Sequence, residues 1–527
     1  MWLVIGITVR MVAIDQPLID AHAIRQCYTA VCTRSILRER GFPLSSIVNW
    51  RGDQGLRLVL EVPIYNYMAI GIDHLLHNLD ASGKVASIAL WAASFLVLQN
   101  LWKRCLNPRE AFWANSLFVL SPISIFFGQA YSPEMLVQFL GLCLVWRFLC
   151  YQESGSRIDF FCFAAVGCVA SLVKAPEVFH LVVFSFILLL IRERWRLFVR
   201  WEYWLAGAAT VFVIHSWSGY VTPITAAYDE SWTPARLLSY YFKSWGDRLD
   251  PMSYVRFCSY LVPFVMAFTG MGGIALGAFV QIRERGWTWP AFWVLSAGLY
   301  YMTWGFGPAQ HHSYYQLPAL PACCYLFGLG MARLRAFKSP WISRYGTGVL
   351  AGATLAFAAF GTWYLFRQDR VIYDSAIWTM QHSAPSEGVI FKSGHDHSSF
   401  NFPHEAVFAY YADRPVWLDT TYLSPPERQR AEQSAAWVVE TYPVERQGRV
   451  ERVRRLLKGA APLPPPQWQS VSSAPEWTLV HEAPQIRIYH RGSLASATDS
   501  SNASTAEPGH AGEARAPRDS SSSPTAR

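Results

Sequence analysis

The chain has 527 residues, of which 52% are hydrophobic and only 16% charged, with 23 Trp and 25 Tyr. Soluble domains are about one quarter charged, so this balance excludes an ordinary soluble protein and points to a polytopic membrane protein with aromatic interface anchors. The net charge of +8 implies no nucleic-acid partner, because much of it falls in short loops between apolar runs.

Met1 to Ile14 is apolar apart from Arg10, yet a helix of this length reaches only about 21 Å, short of the ~30 Å hydrocarbon core. The span is therefore either tilted in a thinned bilayer or preceded by chain upstream of Met1. We favour the second, because the next stretch needs a full span before it. No small-residue cleavage site follows, so this is no signal peptide.

Residues 15–80 form a first loop of mixed composition, with Arg34, Arg38, Arg40, Arg51 and Arg57 among apolar residues; that suits amphipathic helices lying at an interface. At its start stands Asp20-Ala21-His22, then Arg25-Gln26. A helix rising from Asp20 sets His22, Arg25 and Gln26 within about one turn of each other. A carboxylate, an imidazole and a guanidinium then share one patch at the membrane edge, which suits proton abstraction beside a phosphate. Glu61 opens a second juxtamembrane helix with Pro63 in its first turn.

Apolar runs follow at 84–102, 111–129, 132–151, 158–174, 177–191, 201–219, 255–281, 287–306, 314–332 and 346–366. With 1–14 they make about eleven spans by apolar length. If the N-terminus is inside, the inner loops carry Lys103, Arg104, Arg109, Arg157, Arg192, Arg194, Arg196, Arg200, Arg283, Arg285, Arg333, Arg335, Lys338 and Arg344. The short outer connections carry only Lys174. This asymmetry puts the Asp20 loop, residues 220–254 and everything after about Phe366 outside the cytoplasm.

Residues 367–492 read as a small soluble α/β domain, with strands at Gly388–Phe391, Trp437–Val439 and Ile486–Tyr489 and a helix at Pro426–Ala436. The tail, 493–527, is rich in Ser, Ala, Pro and Gly and too poor in apolar residues to fold alone. The ten cysteines include no pair with zinc-ligand spacing and imply no disulfide framework.

The order DAHAIRQCYTA, RERGFPL, EVPIYNYMAIGID, YSPEML, SLVKAP and HHSYYQLP resembles bacterial membrane glycosyltransferases of the GT-C superfamily. The likeness is greatest to the group of protein mannosyltransferases, aminoarabinose transferases and rhizobial lipopolysaccharide-core transferases, and runs to about residue 330. It implies an all-α polytopic protein of the bacterial inner membrane: residues 1–366 catalytic, N-terminus inside, the C-terminal α/β domain extracytoplasmic. It further implies an inverting transfer of a sugar from a polyprenyl-phosphate donor to a cell-envelope acceptor, lipid, glycan or protein, on the outer face.

In that family an acidic residue of the first outer loop is the base, and Asp20 occupies its place. Asp20 as a helix N-cap is the structural alternative, and Asp15 competes for the catalytic role; we favour Asp20. His22 either orients the acceptor or is satisfied by backbone. Arg25 offers a fork of donors to phosphate oxygens, with Gln26 beside it. Glu61 and Glu134 match acidic family positions, Glu134 as an acceptor or metal ligand, and each could equally complement a helix dipole. Lys174 binds lipid phosphate or snorkels. His311 and His312 precede Tyr314 and Tyr315, where the family carries a His and paired Tyr facing the lipid phosphate; an aromatic belt explains the tyrosines alone. The residue types of His311, Asp20 and Glu134 allow a divalent metal site, and no spacing demands one. A transporter or flippase of a lipid-linked saccharide and a polysaccharide polymerase or ligase are the rival readings. The apparent lack of internal repeats and the position of the charges at the outer edge count against transport.

Overall fold

The computed structural model describes residues 1–39, 42–52, 55–59, 61–226, 239–368, 370–393, 405–418, 425–441, 476–483 and 485–492. Part of the 220–254 loop, including 227–238, and the whole 493–527 tail lie outside them.

A short helix α1 (Trp2–Met11) leads into the first loop, where α2 (Ala23–Arg38) and α3 (Ile64–Leu76) flank a small antiparallel pair, β1 (Ser46–Val48) and β2 (Leu56–Leu58). Two helices stand in this loop where helices were expected, whereas the strand pair was not foreseen. Pro63 stands at the N-cap of α3 rather than in its first turn.

The long helix α4 (Leu79–Cys105) starts where Asn78 accepts from the Ala81 amide. Asn107 and Glu110 form a reciprocal cap on α5 (Pro108–Leu120), with Pro108 at its first position. The expected span 111–129 is interrupted: Pro122 cannot donate to the ladder and holds Ser121 at ψ 132°, so α6 (Pro122–Phe127) starts afresh. After it come α7 (Glu134–Ser154), α8 (Arg157–Glu193) and α9 (Trp201–Ala226).

Helix α8 holds two of the expected spans. Lys174 leaves helical geometry (φ −161°, ψ 77°), two residues before Pro176. The chain reverses there, because Phe160 and Arg192 both pack on the ring of Tyr151, which no straight helix of 37 residues allows at 1.5 Å per residue.

The expected span 255–281 is instead a pair, Pro251–Val265 and Gly270–Arg285, bent by 94°. The bend falls at Ala267 and Phe268, which have left-handed φ of 46° and 50°. Helices Trp289–Met302, Leu320–Arg335 and Thr347–Leu365 complete the bundle, the second preceded by a tighter turn at Ser313–Ala319. Gly277 and Gly330 let two of these helices touch through their backbones: an added Cβ would come within 1.8 Å of the Leu326 and Gly273 oxygens, respectively. Among the described residues five helices are long and apolar enough to cross a membrane, six with the bent pair counted as one span. That falls below the expected eleven, since helices such as Trp2–Met11 are too short for the criterion.

One end of the bundle carries a belt of ion pairs: Arg104–Glu153, Arg157–Glu202, Arg285–Glu110 and Arg333–Glu284. The other end carries Glu134, the Lys174 reversal and the Asp20 loop.

Beyond the bundle, helix Val371–His382 leads into a five-stranded sheet ordered β4-β3-β5-β7-β6. Strand β3 (Gly388–Ser393) runs parallel to β4 (Val416–Leu418) and β5 (Ala435–Thr441). Strands β7 (Ile486–Arg491) and β6 (Trp477–Ala483) add antiparallel. Helices Glu405–Ala412 and Pro425–Ser434 complete this region. It docks on the first loop: Trp50 pairs with Val416, and Arg38 grips Asp413 at 2.6 and 3.0 Å.

Candidate active site

The segment between α1 and α2 is tied down by distant parts of the chain. Lys84, one turn into α4, donates to the carbonyls of Ala13 (2.8 Å), Ile14 (3.2 Å) and Gln16. The Ala21 amide donates to the Leu365 carbonyl at 3.0 Å, and the Leu18 amide to the Tyr411 hydroxyl at 2.6 Å. Asp20 is thereby held half-buried.

Asp20 is not an N-cap; His22 takes that position, without a side-chain bond. The Asp20 carboxylate instead accepts from Gln26 Nε2 at 2.6 Å. Gln26 Oε1 accepts from the Tyr131 amide at 2.8 Å, which fixes the amide so that its NH2 faces Asp20. Burial pushes the Asp20 carboxyl up to about 7, against the opposing pull of the Lys84 ammonium. Asp15, its rival, is exposed.

Arg25, on the first turn of α2, forms an ion pair with Glu61 and a 3.3 Å contact with Glu134. Lys174 sits at the α8 reversal, 2.8 Å from Glu134 and 2.5 Å from Glu177. Its ammonium also lies 4.5 and 4.7 Å from the ring centroids of Tyr314 and Tyr315. The reversal exposes Lys174 to both carboxylates at once, and Pro176 helps to break the helix there. Two cations and three carboxylates therefore form one chain of charges, with the side chains of Glu134 and Glu177 at 0% and 2% exposure. Arg25 and Lys174 are not open phosphate hooks, since each already faces carboxylates.

His22 bonds Ser313 Oγ at 2.7 Å and touches Phe126, Phe127 and Tyr314. Burial pulls its imidazole down to about 4, so it is neutral at pH 7. His312 stacks on Tyr314 at 5.2 Å. His311 is exposed and does not join Asp20 and Glu134. Among the described residues no three His, Cys, Asp or Glu side chains gather in a set able to hold a metal ion.

The structure thus brings Asp20, His22, Arg25, Gln26, Glu61, Glu134, Lys174, His312, Tyr314 and Tyr315 to one region and leaves His311 at its rim. Sequence reasoning missed Lys84, Glu177 and Ser313. Glu177 carried a signal, since it opens the apolar run 177–191 just three residues after Lys174 closes the one before it. Beyond it a narrow cleft lined by Gln138, His180 and Trp293 runs into the bundle. A carboxyl titrating near neutrality can take a proton from an attacking hydroxyl, and fixed cations beside it can favour a developing negative charge.

No protein-family profile matches the chain, and no curated protein matches it. Among solved structures it is similar to ArnT from Cupriavidus metallidurans bound to undecaprenyl phosphate, with a TM-score of 0.59 at 12% identity over 93% of this chain and 97% of that one. The apo form of that protein gives a TM-score of 0.57 at 12% identity over 93% and 96%. The Archaeoglobus fulgidus oligosaccharyltransferase in its apo form gives 0.51 at 11% identity over 84% of this chain and 69% of that one. The chain therefore shares a fold with these proteins, in line with the resemblance read from the motif order.

Proposed function

We propose that the chain is an inverting membrane glycosyltransferase that moves a sugar from a polyprenyl-phosphate donor to a cell-envelope acceptor, with Asp20 as general base. The observation that carries this is the half-buried Asp20 carboxylate, oriented by Gln26 and poised near neutral pH, on the same short segment as Arg25, which joins the charge chain of Glu134 and Lys174. The likeness in fold to a protein bound to undecaprenyl phosphate supports the donor class.

In this reading the acceptor hydroxyl attacks the anomeric carbon while Asp20 takes its proton. The bond from that carbon to the phosphate oxygen breaks on the opposite face, and the polyprenyl phosphate leaves with the electron pair. Phosphate is a good leaving group and needs positive charge rather than an acid. Arg25 and Lys174 supply it once the donor phosphate draws them from the carboxylates that hold them here. Neutral His22, fixed by Ser313, orients the acceptor. The site lies on the outer side, with about eleven spans, the N-terminus inside and the soluble region outside. The arginine belt at the opposite end of the bundle supports that orientation.

The bent pair at 251–285 favours a second reading, transport of a lipid-linked saccharide, because broken spans are common in transporters. One experiment separates the two. Envelope glycolipids and glycans of a strain lacking the chain are compared by mass spectrometry with strains restored by wild type or Asp20→Asn at matched membrane levels. A sugar that is missing from the deletion strain and returns with wild type alone supports the transferase. Its return with both proteins overturns the role of Asp20 and leaves transport in its place.

A further inference from the structure

A second polar network lies at the seam between the soluble region and the membrane-embedded part. Asp80, in the first turn of α4, accepts from Tyr410 at 2.5 Å and from Tyr411 at 2.8 Å. The Tyr411 hydroxyl in turn accepts from the Leu18 amide at 2.6 Å. The direction of the Tyr411 bonds follows from chemistry: the Leu18 amide only donates, which leaves the single hydroxyl proton for Asp80. Leu18 is fully buried, and its carbonyl accepts from Cys27 Sγ at 3.4 Å. Both backbone groups of the residue two before Asp20 are thus pinned.

Docking of the soluble region does not depend on this hydroxyl. Arg34 donates to the Tyr410 carbonyl at 2.6 Å. Asn49 donates to the carbonyls of Ala409 at 3.0 Å and Arg414 at 2.6 Å. Arg38 holds Asp413. These bonds secure the C-terminal end of helix Glu405–Ala412, whereas Tyr411 reaches across to the Asp20 loop.

We propose that Tyr411 is a positioning residue for Asp20: its hydroxyl, oriented by Asp80, holds the Leu18 backbone and so sets where the carboxylate stands. The soluble region is then a working part of the transferase site rather than an appendage. The inference rests on the reading of Asp20 as base. Two residues of chain span at most about 7 Å, so a shift at Leu18 passes directly to Asp20, and misplacing a catalytic group by 1 Å costs on the order of a hundredfold.

The test uses the full chain in membranes, following the sugar whose loss marks the deletion strain, with undecaprenyl phosphate as the binding probe. Tyr411→Phe is expected to slow transfer about tenfold while its affinity for undecaprenyl phosphate stays within twofold of wild type. Asp80→Asn should also slow transfer, and the double variant should be no slower than Tyr411→Phe, because both act through one hydroxyl. Arg38→Ala, which weakens docking alone, should transfer at the wild-type rate. Wild-type transfer by Tyr411→Phe, or losses that simply multiply in the double variant, overturns the proposal. If Tyr411→Phe fails to accumulate, a normal rate in Asp80→Asn overturns it equally. Retained transfer in Asp20→Asn defeats the base assignment itself, a separate outcome read from a separate variant.

Discussion

Replacing Lys174 with Met removes the cation that lies 2.8 and 2.5 Å from Glu134 and Glu177. Glu134 keeps Arg25 at 3.3 Å, while Glu177, whose side chain is 2% exposed, loses its cationic neighbour. Breaking a buried pair from one side costs about 3–5 kcal/mol, chiefly for the charge left behind. An unfolding entropy of about 2.1 cal/mol/K per residue, over 527 residues, makes 1 kcal/mol worth roughly 1 °C. The apparent Tm in detergent should therefore fall by about 3–5 °C. Intrinsic fluorescence reads this directly from the many tryptophans. Lys174→Met/Glu177→Gln should recover about half of the loss, because the orphaned charge is gone while Glu134 remains half-compensated. A Tm within 1 °C of wild type for the single variant, or a double variant worse than the single, would refute the idea that Lys174 is held in place by these two carboxylates.

Transfer should fall as the pH on the site's side drops below about 7, the value to which burial lifts Asp20. A base works only when ionised, so the rate at pH 6 should be roughly a tenth of its plateau, whereas a flat profile down to pH 5 would remove Asp20 from the rate. The same shift makes a statement about stability. A folded-state value above the unfolded one means that Asp20 favours folding below its unfolded value of 3.8 and that this contribution is lost as pH rises toward 7. Asp20→Asn should then be more thermally stable than wild type at pH 8, with a gap that closes toward pH 4. Gly330→Ala should cost about 1–3 kcal/mol, because the added methyl meets the Gly273 carbonyl oxygen at 1.8 Å, and backbone cannot step aside as a side chain can. Its membrane yield and Tm report the loss.

The local parts of the site were legible in the sequence and the distant ones were not. Asp20, His22, Arg25 and Gln26 lie within seven residues, so their short separation along the chain brings them together, although the helix expected to rise from Asp20 begins only at Ala23. Apolar length found the reversal within 157–193, because no single span needs so many residues. It could not foresee the 94° bend after Val265, which depends on two left-handed residues that no hydropathy pattern records. The charge chain was half visible: Glu134 and Lys174 stood out as ionisable residues at span ends and Arg25 and Glu61 in the first loop, while Glu177 was passed over. That they neutralise one another, rather than wait for a phosphate, follows only from folding. Tyr411 and Asp80 are 331 residues apart, and nothing in either neighbourhood marks them as partners. The sheet strands near 388, 437 and 486 were readable from β-branched runs, while the strand order, which takes β7 back beside β5, was not.

The seam between the first loop and helix Glu405–Ala412 also sets an order of events during biosynthesis. Leu18 leaves the ribosome 393 residues before Tyr411, which at about 5–20 residues per second is roughly 20–80 s of elongation. Throughout that interval the Leu18 amide, the Arg34 guanidinium and the Asp80 carboxylate lack these partners. The segment bearing Asp20 is therefore among the first to be made and among the last to be locked. With Asp20 as the proposed base, a nascent chain in the membrane should transfer poorly until its final third has been delivered and docked.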